Sequence, residues 1–315
     1  MQSRECGIMA LKTLTITIDE DKVGRVDLVV QKATSVSRGQ VRGLVDNACV
    51  SINGEVCTAL ATPVAVGDVV AVRYDPNQRY HEKKKHWDDR TFRVLFEDDY
   101  LIVVDKSAGV LTVPTDWNEK NTLVDRVSLY LSHSRRKRIA CVVHRLDREV
   151  SGLLVFGKTE SIADALIEQF KQRKPERLYV AIVAGVIEAD SGTFDGHLAT
   201  GKNLDRFVAR PSKNTEAAIT HFRVLRRMSD TTLVEAQLET GKRNQIRVHF
   251  ADAGHPVLGD PRYKIKEAKH PRWIRQRIAL HAQTLAFQHP VTEQQVKFES
   301  PIPAAIQKFL AGSRD

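Results

Sequence analysis

The 315-residue sequence has no uninterrupted apolar stretch approaching the ~20 residues that a helix needs to cross a membrane. Its opening, MQSRECGIMALKT, lacks the apolar core of a secretory signal, and Met9 offers a second translation start beside Met1. Only four cysteines occur, Cys6, Cys49, Cys57 and Cys141, with neither a CxxC pair nor a zinc-type spacing. A disulfide scaffold and a cysteine-bound metal are therefore not expected. The expectation is a cytoplasmic protein with reduced thiols. There is no repeat of fixed period and no low-complexity tract.

What the chain does have is positive charge. Its 48 Lys and Arg exceed 39 Asp and Glu, a formal net charge of +9, while 42% hydrophobic residues suffice for a substantial core. An excess of this sign favours a polyanionic partner. Three basic runs carry much of it. Arg135-Arg136-Lys137-Arg138 precedes the string HRLD; Lys171, Arg173, Lys174 and Arg177 precede Tyr179; Arg262, Lys264, Lys266, Lys269, Arg272, Arg275 and Arg277 lie near the C-terminal end. A basic run is commonly just a solvated face. Three runs bracketing three motif segments favour a phosphate-binding rim around a cleft.

Val23 to Tyr74 reads as a small module. Apolar Leu28, Val29 and Ala33 mark one helix, and Val41, Leu44 and Val45 mark a second with Ser37 as its N-cap. CVSING alternates as a strand ending in an Asn53-Gly54 turn, and Val64 to Val72 reads as a strand pair turning at Gly67-Asp68. Val23 to Asp75 carries five basic residues against five acidic ones, so any grip on a polyanion rests on the local patch of Lys32, Arg38 and Arg42. Asp75 to Asp89 (DPNQRYHEKKKHWDD) is polar and poor in aliphatic residues and reads as a linker, with Trp87 able to dock it to either side.

Beyond the linker, Arg93–Glu97, Tyr100–Asp105, Leu178–Val183 and Thr232–Leu238 predict strands, and Ser107-Ala108-Gly109 a turn. Glu160–Gln172 predicts an amphipathic helix with Ile162, Ala165, Leu166 and Phe170 on one face; Asn244–Ala253 predicts a short helix. Hairpin-linked strands with few helices predict an α+β domain with a mixed, mainly antiparallel sheet, preceded by a small α/β module.

The most specific string is HRLDREVSGLL, from His144 to Leu154. It lies between Ile139–Val143 and Leu153–Phe156, which both read as buried strands. Asp147 is thereby placed on a short loop between core strands, beside Arg145 and Arg148, with Ser151-Gly152 closing the turn. A lone RLD is more often a surface turn with an ion pair. The longer string resembles the signature loop of the RluA-type RNA pseudouridine synthases. ERLYVAIVAG (Glu176 to Gly185) is similar to that family's second motif, LETGKRNQIRVHFADAGHPVLGDPRY (Leu238 to Tyr263) to its third, and RIALHAQTLAFQHP (Arg277 to Pro290) to its closing strand region. These occur in family order between roughly Thr91 and Leu310, and the N-terminal module resembles an S-four-like RNA-binding domain. Val150 stands where the family usually has Thr, and Asn244 where it usually has His. Neither position is the implied nucleophile, its partner or the stacking ring.

The resemblance implies an S-four-like domain over 23–74, a linker over 75–90 and a pseudouridine synthase catalytic domain over 91–310. It implies isomerisation of specific uridines in structured RNA, ribosomal RNA of the large subunit first, with transfer RNA as the alternative. Asp147 would be the catalytic nucleophile, Arg247 its partner, and Tyr179 a ring that stacks on the base and accepts a proton. Lys32, Arg38 and Arg42 would bind RNA, and His144 and Arg145 would fill the space left by a flipped-out uridine. The reaction breaks the bond between sugar and base, turns the base, and joins a ring carbon to the same sugar. Nothing is oxidised and no group is imported, so no cofactor or metal is expected. A free aspartate titrates near ~3.9 and can attack at neutral pH without a separate base, either at the anomeric carbon or at the sixth ring carbon. The protein is expected to act as a monomer. A catalytically silent RNA-binding or ribosome-assembly protein is the rival of a different class; the set of Asp147, Tyr179 and Arg247 speaks against it. A glycoside-type hydrolase is a third reading; it needs two carboxylates, and no second acid accompanies Asp147 in a motif, which speaks against it.

Overall fold

A computed structural model describes residues 12–74, 89–133, 138–202, 204–273 and 277–313. Cys6, Met9, residues 75–88 of the expected linker with Trp87, the run Arg135-Arg136-Lys137, and Arg275 lie outside these. The chain forms two compact units, Met1–Trp87 and Asp88–Asp315.

The first unit contains β1 (Lys12–Thr17), β2 (Gly24–Arg25), α1 (Val26–Thr34), α2 (Arg38–Asp46), β3 (Val50–Ile52), β4 (Glu55–Val56), β5 (Pro63–Val64) and β6 (Val69–Tyr74). Its main sheet has the order β1-β6-β3-β4. Helix α1 begins directly after Arg25, so its i, i+4 stripe buries Val26 and Val30; Leu28 is 48% exposed and Ala33 is exposed, contrary to the sequence pattern. Helix α2 buries Val41, Leu44 and Val45 and starts with a reciprocal Ser37–Gln40 capping box. Asn53 and Gly54 both have positive φ and join β3 to β4 in a tight hairpin. The expected hairpin at Gly67-Asp68 does not form. β5 pairs with β2, whereas β6 pairs with β1 and β3, so this turn passes from one sheet to the other.

The second unit contains β7 (Phe92–Glu97), β8 (Leu101–Lys106), α3 (Leu123–Ser132), β9 (Cys141–Val142), β10 (Ser151–Gly157), α4 (Glu160–Lys171), β11 (Glu176–Ala184), β12 (Ser191–Thr200), β13 (Arg206–Ala209) and β14 (Glu216–Arg227). It continues through β15 (Thr231–Leu238), α5 (Gln245–Asp252), β16 (Leu280–Gln288), β17 (Gln295–Glu299) and α6 (Ala304–Ala311). The strands form one sheet in the order β13-β12-β14-β15-β11-β16-β10-β8-β7, with β17 on β16 and β9 on β10. Every pairing in it is antiparallel except β10 with β16. The protein is thus α+β, with a mixed, mainly antiparallel sheet.

The central strands are apolar because both faces are covered. β10 is buried at every residue, and Leu101, Val103, Leu153, Val155, Leu285 and Phe287 share one cluster with Leu166 of α4. Helix α4 lies so close to β10 that a Cβ on Gly157 would come within 2.7 Å of the Ala163 nitrogen. Ala163 is accordingly buried and Ala165 exposed, a one-step rotation from the expected face. Strands β15, β11, β16 and β10 are consecutive, and three spacings of about 4.8 Å place them within about 14 Å. Each segment singled out by motif enters or leaves one of these four strands.

Candidate active site

Asp147 lies in the segment between β9 and β10. The run before it is not a buried strand: β9 has two half-buried residues and Ile139 is 60% exposed. The segment is fixed by tethers instead. Thr112 Oγ1 donates to the Leu146 carbonyl (2.7 Å) and accepts from the Leu146 N–H (3.2 Å). Lys106, the last residue of β8, is 1% exposed, and its ammonium donates to the carbonyls of Val110 (2.8 Å), Ser107 (3.0 Å) and Arg148 (3.2 Å). Burial pushes its pKa down to about 7, against the attraction of Asp147 and Glu149. At the far end, Ser151 Oγ meets His281 Nδ1 (2.9 Å) and accepts from Arg277 Nη2 (2.8 Å). Gly152 (φ +120°) lies against β16, and a Cβ there would sit 2.2 Å from the Ala282 carbonyl oxygen.

Arg247 projects from α5, a helix whose residues Gln245 to Ala251 are all buried. Its Nη1 donates to Asp147 Oδ2 at 3.0 Å, across a hundred residues of sequence. The other side of the guanidinium makes a fork with Asp260, Nε to Oδ2 at 2.7 Å and Nη2 to Oδ1 at 2.9 Å. Burial works against this charge; hydrogen bonding and attraction from Asp260, then Asp147, more than reverse it and raise the pKa above the usual arginine value. Glu149 Oε2 also lies 3.6 Å from Nη1. A second acid therefore does accompany Asp147, but both approach the same guanidinium nitrogen and are held to one side. That arrangement does not flank a scissile bond as a hydrolase pair does.

Tyr179 sits on β11 between Ala236 of β15 and Ala282 of β16, and the register with β16 shifts between Leu178 and Tyr179. The extra residue, Gln283, is on β16, so the alternation of β11 is unbroken. The residue is 8% exposed, lines the cleft, and its hydroxyl has no hydrogen-bond partner among the described residues. Burial raises the phenol pKa, Arg177 opposes the rise, and Asp147 adds to it. Arg177, two residues earlier on the same face, donates to the Leu238 and Glu239 carbonyls (3.3 and 3.2 Å) and makes no ion pair among the described residues.

These groups line one cleft of about 580 Å³, together with His144, Arg145, Phe170, Lys171, Arg173 and Lys242. The motif proposes His144 and Arg145 alike as residues that fill vacated space; the fold separates them. The His144 ring stacks on Phe170 at 4.6 Å, and its Nε2 accepts from the Val155 N–H at 3.2 Å. Burial, with Arg177 nearby, pushes its pKa down to about 3, so the ring is a neutral part of the wall. Arg145 is exposed and makes no ion pair among the described residues.

The basic rim also differs from the sequence picture. Lys171, Arg173 and Arg177 line the cleft, but none of the described residues of the third run does. Arg272 instead packs on Phe309 (4.8 Å), Arg277 holds Ser151, and Arg262 pairs with Asp205 at 2.7 Å. In the first unit, Lys32 is in the last turn of α1, and Arg38 and Arg42 are one turn apart on α2. Among the described residues, no group of three or more His, Cys, Asp or Glu is placed to hold a metal ion. Sequence reasoning missed Asp260, although the third motif contains it, and also Lys106 and Thr112. A lysine closing a strand that opens with the apolar run Leu101–Val104 was the available sign for Lys106.

Known proteins resemble this chain along most of its length. The model of the family described as RNA pseudouridylate synthase matches residues 100–252, and an S4 domain model matches residues 24–70. Ribosomal large subunit pseudouridine synthase D of Nitrosomonas europaea is 32% identical over 312 residues, covering 96% of this chain and 88% of that protein. The protein of the same name from Zymomonas mobilis is 32% identical over 320 residues, covering 94% and 96%. Among solved structures, human RNA pseudouridylate synthase domain containing 4 shares the fold, with a TM-score of 0.59 and 24% identity over 69% of this chain and 91% of its own. With relatives at this identity aligned over most of their length, the chain belongs to the RluA-type RNA pseudouridylate synthases and carries an S4 domain.

Proposed function

We propose that this enzyme isomerises uridine in large-subunit ribosomal RNA, with Asp147 as nucleophile, Arg247 as the residue that orients it, and Tyr179 as the proton-handling group. The observation that carries the reading is the ion pair from Arg247 to Asp147, held by the Asp260 fork in a cleft where Arg145 and Arg177 make no ion pair among the described residues. The ribosomal target is what the names of the relatives describe for those proteins. The described residues include no helix long and apolar enough to cross a membrane; we place the protein in the cytoplasm, acting as a monomer without cofactor.

Asp147 forms a bond to the sugar's anomeric carbon or to ring carbon six, and the bond from sugar to base nitrogen breaks. The base turns, ring carbon five bonds to the same sugar carbon, and Asp147 leaves. Carbon five loses a proton and the freed nitrogen gains one. A phenol that gives its proton to the nitrogen and then takes the one on carbon five balances both transfers; it stands as tyrosinate only between them, which suits the raised pKa of the resting residue. Bonding also cancels the Asp147 charge that opposes ionisation of Tyr179, leaving Arg177 to favour it. Tyr179→Phe should therefore slow turnover by ~100-fold or more with little change in RNA affinity. Near-normal turnover in a tritium-release assay would reduce the ring to stacking or packing.

Arg145 is the side chain free to enter the space of the flipped nucleotide, an extrusion that costs a few kcal/mol. Residues 23–74 grip RNA away from the reacting uridine, 75–90 link, and 91–310 carry the chemistry. Replacing Lys32, Arg38 and Arg42 together by alanine should make the dependence of log affinity on log salt shallower by roughly 2–3. An unchanged slope across a salt series would remove the patch from the interface. The target is tested by carbodiimide modification and reverse transcription on RNA from cells with and without the gene. Loss of a signal from large-subunit ribosomal RNA is expected. Loss from transfer RNA alone would reassign the substrate, and no loss at all would favour a silent binding protein.

A further inference from the structure

Asp147 has a second close neighbour besides Arg247. Asn244 precedes α5, and one setting of its amide would press Oδ1 against both carboxylate oxygens of Asp147, acceptor on acceptor. In the other, Nδ2 donates to Oδ2 at 2.7 Å and to Oδ1 at 3.0 Å, while Asn244 Oδ1 accepts from the Tyr263 hydroxyl at 2.9 Å. The second satisfies the carboxylate and the Tyr263 hydroxyl together, in place of the long 3.4 Å contact from Arg247 Nη1 to Asn244 Oδ1 that the first setting makes.

Tyr263 is itself held in place. Its N–H donates to Asp260 Oδ1 (3.1 Å), its ring lies 5.3 Å from the Arg247 guanidinium, and its hydroxyl accepts from the Arg206 N–H (3.3 Å). The contacts close a circuit through Asp147, Asn244, Tyr263, Asp260 and Arg247. Asn244 stands at the N-cap of α5 yet makes no capping hydrogen bond with its side chain. Its backbone is left-handed (φ 58°, ψ 18°), a conformation that Asn, Asp, His and Gly adopt far more readily than other residues. A capping role is thus excluded, and the side chain is spent on the carboxylate.

We propose that Asn244 is a positioning residue for the nucleophile, a neutral donor that holds both oxygens of Asp147 while Arg247 supplies the charge. This rests on the assignment of Asp147 above and corrects the view that the departure from His at 244 lies apart from the nucleophile. A second cation here would stabilise the resting carboxylate further and blunt its attack; an amide orients it without adding charge.

The test uses the full chain and tritiated uridine RNA, with kcat, KM and thermal unfolding measured for Asn244→Asp, Asn244→Gly, Asn244→His and Asp147→Asn. Aspartate is isosteric with asparagine and tolerates the left-handed backbone, so a merely structural role makes Asn244→Asp the mildest change. Positioning makes it the most severe, because carboxylate then faces carboxylate. The expected kcat is ~100-fold or more below wild type for Asp and ~10-fold or more below for Gly, with KM little changed. His, which can donate through a ring N–H, should recover to within ~10-fold of wild type. Wild-type kcat in Asn244→Asp, with Asp147→Asn inactive, would overturn the inference alone. Should Asn244→Asp fail to fold, an unchanged kcat in folded Asn244→Gly would overturn it equally. An active Asp147→Asn would instead overturn the assignment of the nucleophile.

Discussion

Asp147→Asn is expected to abolish turnover while leaving the fold and the affinity for RNA in place. The amide matches the carboxylate in shape, so Leu146 stays tied to Thr112 and the Arg148 carbonyl stays on Lys106. What is lost is the anionic oxygen that forms the bond, and no neighbour replaces it. Glu149 contacts the same Arg247 nitrogen from 3.6 Å and is held by it. Tritium release should fall to background, because a missing nucleophile removes a covalent step and not merely a transition-state contact. Retention of more than a trace of activity by a pure, folded variant would sink the assignment.

The second large effect is on stability. Arg247 is 3% exposed and Asp260 is 2% exposed, and Asp260 accepts both bonds of the fork. Arg247→Met keeps much of the side-chain volume but strands a buried carboxylate. Removing one partner of such a pair costs about 3–5 kcal/mol, chiefly through the uncompensated charge left behind. Denaturant unfolding of the full chain should show this in the transition of the second unit. The double change Arg247→Met with Asp260→Asn should recover much of the stability and none of the activity. If the single variant unfolds with wild type, the fork is only a surface-like contact. If the double variant is as unstable as the single, the loss lies in packing.

The segments that carry chemistry were legible in the sequence because they are strings with a fixed order. HRLD, ERLY and QIRVH each led to a residue that the fold brings to one cleft. Periodicity was less dependable. Helix α1 turned out to bury Val26 and Val30, because its start beside Arg25 set the phase, and α4 buried Ala163 because Gly157 admits no side chain beneath it. Charge was legible as a total but not as an address: Arg272 and Arg277 look like a rim in the sequence and are structural anchors in the fold. The Asp260 fork and the Asn244 bridge were illegible for a different reason. Both depend on which side chains converge in space, and neither involves a spacing along the chain.

The placing of β16 has a consequence for the birth of the molecule. This strand lies between β10 and β11, yet Ser151 and its neighbour His281 are 130 residues apart in the chain. While the polypeptide is being made, β10 and β11 emerge long before the strand that joins them. Until Leu280–Gln288 has left the ribosome, the sheet has a gap at its centre, with one edge of β11 unpaired and that of β10 covered only by β9 at Phe156 and Gly157. Contacts so distant in sequence form late and slowly. The nascent enzyme is thus inert until that strand emerges, and one stalled before position 280 exposes the edges of β10 and β11 to its neighbours.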